Sequence, residues 1–338
     1  MRIQKATAEY EDWLRRQIPV IEEDLAKKHE KMAESPFAFL RATYYRWAQQ
    51  FPQVCPGEAG AVRVLGVGDL HVENFGTWRD AEGRLVWGVN DFDEAGELPF
   101  ANDLVRLAAS ARLAGADHDA ADQILEGYRH GLEQGGRPFV LAEHHDALRK
   151  MAEESLKDPD KFWDKLEKWP DVEGSPREVL ENTMPERGLE YRVVHRVSGL
   201  GSLGRERYTA IAEWRGGRIA REAKALTAPR TYREILSRAI RCPDPWVRVV
   251  GRWIVRRLGP DGVRIEGAAE KRVCSAMGFE TANVHLGSVE AERLLEDLRG
   301  RDDAWLHQAA KRMAEAVEED WQEWRGREIR EPARGVSA

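Results

Sequence analysis

GDLHVENFG (residues 68–76) continues the apolar run AVRVLGV, and RLVWGVNDFD (residues 84–93) follows it after the turn WRDAEGR. Both apolar runs are β-rich and both lead directly into acidic residues, so two strands with carboxylates at their ends are expected. Asp69 and Asn74 are separated by four residues, and Asp91 comes seventeen residues after Asn74. Asp and Asn are common turn formers, so one such match carries little. Three acidic or amide groups at strand ends, in this order, carry more.

Working outward, DLVRLAASARLAG from Asp103 and then DAADQILEGYRHGLEQ read as helices, with Asp103 as a helix N-cap. Upstream, Ser35-Pro36 has the form of an N-cap followed by proline at the first helical position. FAFLRATYYRWAQQF then reads as one core-facing helix closed by Pro52, Pro56 and Gly57, and residues 1–34 as one or two surface helices. Downstream, residues 140–185 are charged and helical or irregular. YRVVHRV, ERYTAIAEW and RIAREAKAL then predict three strands joined by SGLGSLG and RGG, followed by a helix from about Thr231. VGRWIVRRL and VRIE flank GPDG, a hairpin signal, and residues 289–325 return to helix before a polar tail.

Phosphoryl transfer from ATP requires a carboxylate to orient or deprotonate the attacking hydroxyl. It also requires a carboxylate and an amide oxygen to hold magnesium against the phosphates. A kinase catalytic loop supplies an Asp, an Asn five positions on, and a metal-binding Asp after the next β-hairpin. Asp69, Asn74 and Asp91 fit that order, with Asp69 as base or orienter and Asn74 and Asp91 as metal positions. Asp93 is ambiguous between a second metal contact and a solvent-facing group, and His71 is expected to fix the loop by hydrogen bonding. The kinase-like role of Asp103 would be to brace the same Asp69 loop. Gly199, Gly201 and Gly204 form a GxGxxG pattern between two strands, the context of a loop that covers ATP phosphates rather than of a dinucleotide fold. The next strand offers Lys224 for the α- and β-phosphates, with Arg221 and Glu222 as alternatives in another register. The helix after it offers Glu234 to position the lysine. Arg256 and Arg257 read as a charged strand face, with phosphate contact as the alternative, and Glu280, Asn283 and His285 as a satisfied polar network, with the cleft lining as the alternative.

The net charge of −7 excludes a nucleic-acid wrapper, and no apolar run approaches the length of a bilayer span. Cys55, Cys242 and Cys274 are scattered, so neither a disulfide framework nor a zinc site is implied. The N-terminus lacks the apolar core of a secretory signal, and a cytoplasmic protein without membrane or nucleic-acid partners is expected.

GDLHVENFG with VNDFDEA, and later GLGSLG with REAKAL, resembles the bacterial family called domain of unknown function 2252. That family is grouped with protein-kinase-like and aminoglycoside-phosphotransferase-like folds. The similarity runs from PFAFLRA near residue 36 to ANVHLGS near residue 288. It implies a kinase-like fold and supports Asp69, Asn74 and Asp91 as catalytic-loop and metal positions, without supplying a substrate. In most kinases the glycine loop and lysine precede the catalytic aspartate, whereas here they follow it. The expectation is therefore an α+β, bilobal kinase-like fold of circularly permuted order. Residues 1–185 would form a mainly helical catalytic lobe, 186–267 a small antiparallel nucleotide-binding β lobe, and 268–338 helices completing the first. The expected activity is an ATP- and magnesium-dependent phosphotransferase acting on a hydroxyl, with a small-molecule acceptor favoured by analogy. The rivals are a non-catalytic nucleotide-binding protein, a nucleotidyl transferase, or a dinuclear metal phosphoesterase. The last is suggested by Asp69-Leu70-His71, but it needs further histidines and an Asn-His pair that the sequence lacks.

Overall fold

The computed structural model describes residues 1–141, 145–265 and 271–328. The expected boundary at residues 267–268 and residues 329–338 of the expected polar tail lie outside the described residues. The fold is α+β, with every strand pairing antiparallel in three sheets.

Helices α1 (Ile3–Gln17) and α2 (Glu22–Glu34) open the chain. Ser35 then caps α3 (Pro36–Ala42) by accepting from the Ala38 N–H at 3.1 Å, and Pro36 starts the helix as its fixed φ favours. The expected single helix after Ser35 is two, because Thr43 leaves helical geometry (φ −127°, ψ 42°) and bonds back to the Phe39 carbonyl. Helix α4 (Tyr44–Val54) continues through Pro52 instead of stopping there, and α5 (Pro56–Ala59) is a single turn.

Strand β1 (Arg63–Gly66) leads to the Asp69 loop, and β2 (Phe75–Arg79) and β3 (Leu85–Val89) form the hairpin that ends at Asp91. Strand β4 (Gly96–Pro99) returns to pair with β1. Helix α6 (Phe100–Leu113) is buried at every position from Phe100 to Ala111, so its few polar residues, Asn102, Asp103, Arg106 and Ser110, must find partners inside the protein. Helix α7 (Ala120–Glu133) follows, and β5 (Phe139–Val140) adds a third strand beside β3.

Three short helices, α8 (Asp146–Glu154), α9 (Pro159–Glu167) and α10 (Arg177–Glu181), lead to the five-stranded sheet. Its strands are β6 (Arg192–His195), β7 (Arg207–Trp214), β8 (Gly217–Ala225), β9 (Arg248–Val250) and β10 (Trp253–Leu258), in the spatial order β6-β7-β8-β10-β9. Helix α11 (Pro229–Arg238) connects β8 to β9. The expected hairpin around GPDG is not formed. The hairpin is β9–β10, and Val263 instead receives the Thr77 N–H (2.8 Å) and donates to the Thr77 hydroxyl (3.1 Å). The segment after the five-stranded sheet thus ties down the β2–β3 hairpin.

Helices α12 (Lys271–His285), α13 (Ala291–Arg299) and α14 (Trp305–Glu328) close the chain. The two ends of the molecule meet. The Trp321 and Trp324 indoles donate to the Ala33 and His29 carbonyls of α2, and Arg46 pairs with Asp320. Among the described residues no helix is long and apolar enough to cross a membrane.

Helices α7 and α12 approach backbone to backbone. A Cβ added at Gly278 would lie 2.0 Å from the Ile124 carbonyl oxygen, and one at Gly127 would lie 1.9 Å from that of Ser275. Ala normally stabilises a helix interior by about 1 kcal/mol over Gly. Here the sign reverses: Gly278→Ala forces the helices apart and is expected to cost about 3 kcal/mol. Urea unfolding checks this, and a variant as stable as the wild type contradicts the close approach.

Candidate active site

The loop between β1 and β2 is held by one stripe of α6. Asp103, Arg106 and Ser110 recur at helical spacing on a single face. Asp103 accepts the backbone N–H groups of Val67 (2.7 Å) and Gly68 (2.9 Å). Arg106 donates through Nε to Asp69 Oδ1 at 3.0 Å, and through Nη2 to the same oxygen and to the Leu40 carbonyl. Ser110 accepts the Val72 N–H at 3.0 Å. Asp103 lies inside the helix, whose N-cap is Pro99, so it is not the expected cap, and it braces the Asp69 loop instead. His285, hydrogen-bonded to Tyr128, contacts Asp103 from the other side. Gly68 has φ +77°, and a Cβ there would strike the Glu94 carbonyl oxygen at 2.2 Å, so the sharp turn before Asp69 needs glycine.

Asn74 stitches this loop to the end of the hairpin. Its amide donates to the carbonyls of Asp69 (3.2 Å) and Asp91 (2.9 Å), and its oxygen accepts the Asp91 N–H (3.0 Å). His71 accepts the Glu73 N–H through Nδ1 and fixes the loop. Burial and then the neighbouring Arg41, Arg106 and Arg264 hold its pKa well below the ordinary histidine value.

The five-stranded sheet meets this assembly through Lys224. Its ammonium, on a side chain almost wholly buried, lies 2.5 Å from Asp91 Oδ2 and 2.8 Å from Asp93. Burial alone would raise the Asp91 pKa, but the charges of Lys224 and Arg256 outweigh it and hold the carboxyl well below its usual range. Burial, and then the charge of Asp91, push Asp93 up. Two carboxylates on one lysine divide in this way because both cannot be equally favoured as anions. Arg205 pairs with Asp93 and Glu94 behind them.

The glycine loop between β6 and β7 lies over Asp69. A Cβ on Gly201 would come 3.2 Å from Asp69 Oδ2 and 2.9 Å from the Arg41 carbonyl oxygen. Gly199 adopts φ +77°. From behind, Lys28 donates to the Gly201 carbonyl at 3.1 Å, with its pKa lowered to about 8 by burial and then by Arg205. The Ile21 N–H donates to the Gly204 carbonyl, and His195 contacts Asp24 at 2.7 Å. Helix α2 therefore backs the loop.

Asp69, Asn74, Asp91, Gly199 and Gly201 line one cavity of about 850 Å³. Lys224 lies beneath two of its carboxylates rather than on its wall. Two candidate residues are not brought to the cavity. Gly204 (φ +94°) packs against Leu25 of α2, where a Cβ would be 2.4 Å from the leucine, so it shapes the turn and covers nothing. Glu234 pairs with Arg238 one helical turn away, and Lys224, satisfied by Asp91 and Asp93, makes no bond to it. Arg221 faces away, donating to the Thr183 and Ala220 carbonyls and stacking on Trp246. Glu222 is on the cavity wall between Arg196 and Arg207. Arg256 and Arg257, expected as a charged strand face, turn into the cavity instead.

Sequence reasoning missed Arg106, Glu94 and Arg205. Arg106 had a signal, a cation in the middle of the largely apolar helix FANDLVRLAASARL, away from its ends. Glu280 and Asn283 form an internal network, whereas His285 belongs to a separate one with Tyr128 and Asp103. Glu280 accepts the Val89 N–H and the Asn283 amide, and Asn283 bonds both the N–H and the carbonyl of Arg137.

Residues 19–160 match a family described as an uncharacterised protein conserved in bacteria, domain of unknown function 2252. No curated protein and no solved structure matches the chain.

Burial pushes the Glu280 pKa up to about 7, against the opposing hydrogen bond from Asn283 and the charge of Arg241. The folded state then holds a proton that the unfolded state releases near pH 4.5, so stability is full below that pH and falls as pH rises to about 7. The loss amounts to about 3 kcal/mol at most. Glu280→Gln is expected to flatten this part of the curve, read from urea midpoints at several pH values. An unchanged slope contradicts the assignment.

Proposed function

We propose that this cavity binds ATP with magnesium and transfers the γ-phosphate to a hydroxyl, in a kinase-like fold whose nucleotide lobe follows the catalytic loop in sequence. The observation that carries the reading is the meeting of Lys224 with Asp91, 133 residues apart, directly beneath the wall of a cavity that Asp91 shares with Asp69 and Asn74. Further support is local. Lys224 is on the third strand of a five-stranded antiparallel sheet, behind a strand–glycine loop–strand unit and ahead of a helix, as in the lobe that grips ATP in kinases.

The donor set suits a hard dication. Asp91 offers carboxylate oxygens, Asp93 stands beside it, and the Asn74 oxygen keeps a second lone pair beyond its bond to the Asp91 N–H. Magnesium held with a nucleotide needs only one or two carboxylates, the phosphates and water completing its shell. Bound there, it would neutralise charge on the β- and γ-phosphates.

The remaining work falls to the chain. Lys224 exchanges a carboxylate for phosphate oxygens, and Asp93, the more readily protonated partner, is the one it releases. Arg256 faces Asp91 and Asp93 with its Nε buried and unpartnered, and supplies a second cation on this side. Asp69 has Oδ1 committed to Arg106, which leaves Oδ2, on the glycine-loop side, to orient the acceptor hydroxyl and receive its proton. The guanidiniums around His71 argue against the phosphoesterase alternative, since a second dication there would meet like charge.

Two measurements test the proposal. Millimolar ATP with magnesium is expected to raise the melting temperature by a few degrees, and ATP alone by less. No rise under either condition overturns the reading. Asp69→Asn is expected to keep the nucleotide-induced shift while losing at least about a hundredfold in ADP release. Full turnover in that variant removes Asp69 from its role.

A further inference from the structure

The cavity is electrically polarised along its length. At one end Asp91, Asp93 and Glu94 pair with Lys224 and Arg205, with Arg256 facing the first two. At the mouth, marked by the half-exposed Arg264, arginines outnumber the carboxylate they share. One oxygen, Glu73 Oε2, takes both Arg41 Nη1 and Arg264 Nη1. Glu222 is likewise divided between Arg196 and Arg207, and Asp261 between Arg79 and Arg257. Among the described residues Lys157, also on the lining, has no carboxylate within ion-pair distance, and it donates to the Gly262 carbonyl at 2.8 Å.

We infer that the acceptor is an anionic hydroxyl compound, a phosphate monoester or a carboxylate, whose anion is held by Arg41, Arg264 and Lys157 at the cavity mouth. This rests on the phosphotransferase reading and names its substrate class. The three cations come from separate parts of the chain: α3, the segment after β10, and the segment between α8 and α9. Arg41 and Arg264 meet on Glu73, inside the Asp69–Asn74 loop, so a group bound there holds its hydroxyl beside Asp69 rather than beside Lys224. Arg41 keeps a buried Nε with no partner, and a guanidinium with one contact retains donors for more. Burial, then Arg196 and Arg264, lower the Lys157 pKa, and Arg264 also acts against Arg41. An anion among these cations relieves that repulsion and makes charge-assisted bonds. Asp261 is the carboxylate nearest in effect to Lys157, and it is already shared by two arginines. A polycationic acceptor, such as an aminoglycoside, would meet like charge at this mouth.

The test is calorimetric titration of glycerol 3-phosphate, glycerate and glycerol into the intact protein saturated with magnesium and ADP. At least one of the two anions is expected to bind below about 10 mM and glycerol not to bind, the better anion deciding between phosphate and carboxylate. Arg264 is half-exposed, so Arg264→Ala leaves the fold intact. It is expected to weaken the anion at least about tenfold without changing ADP affinity, and Arg264→Lys to restore part of the loss. Several outcomes overturn the inference: neither anion binding, glycerol binding equally well, anion affinity unaltered in Arg264→Ala, or nucleotide and anion competing for one subsite. If ADP itself fails to bind, the phosphotransferase reading falls. The same tenfold criterion, applied to the nucleotide-free protein, then decides the anion site separately.

Discussion

A buried helix with three polar residues on one face sets the position of everything chemical in this molecule. Asp103, Arg106 and Ser110 reach out of α6 to the backbone of Val67, Gly68 and Val72 and to the carboxylate of Asp69. Each polar group would cost several kcal/mol in an apolar interior if unpaired, so the loop and the helix are bound to one another. Arg106 shows how tightly. It is fully buried, lies between the rings of Tyr44 and Trp47, and is neutralised by the very carboxylate that it aims. Removing Asp69 altogether would therefore leave a buried guanidinium without its counter-charge, whereas the isosteric amide keeps an acceptor in place.

The second joint is Lys224. It ties the five-stranded sheet to the β2–β3 hairpin through charges rather than through apolar contact. A pair of this kind is a poor source of stability, since desolvation offsets most of the attraction. The two carboxylates share the lysine unequally, since Asp91 is held as the anion by Lys224 and Arg256 while burial and the charge of Asp91 push the Asp93 pKa up. Backing by α2 steadies the opposite wall. Lys28, Ile21 and Leu25 hold the glycine loop while its inner face stays open to the cavity.

Much of this was legible as pattern. The strand-end carboxylates, the glycine loop between strands and the lysine on the next strand are all local signals, and the structure joins Lys224 to Asp91 at 2.5 Å. What escaped depended on pairing choices that no local pattern encodes. Glu234 has helical periodicity and position in its favour, but Arg238 lies one turn away and Lys224 has two carboxylates closer at hand. Gly204 fits the spacing of a phosphate loop, yet its backbone is spent on the turn against Leu25. The GPDG hairpin failed because its second arm found a better partner in Thr77, nearly two hundred residues earlier in the chain. Arg256 and Arg257 both reach the cavity although they alternate along β10, Arg256 opposite Glu222 and Arg257 opposite Arg221, an outcome that strand alternation alone does not encode.

The meeting of the chain's two ends has a consequence for how the molecule comes into being. The indoles of Trp321 and Trp324 close on the carbonyls of α2, the helix that backs the glycine loop. During synthesis the Asp69 loop leaves the ribosome first, the glycine loop follows more than a hundred residues later, and α14 comes last. Until α14 has emerged, α2 packs on α1, α3 and the glycine loop but lacks the two indole bonds. Contacts of such sequence separation make for slow folding. The polar groups around Asp69 are therefore made well before the glycine loop that lies over them and the helix that steadies its backing.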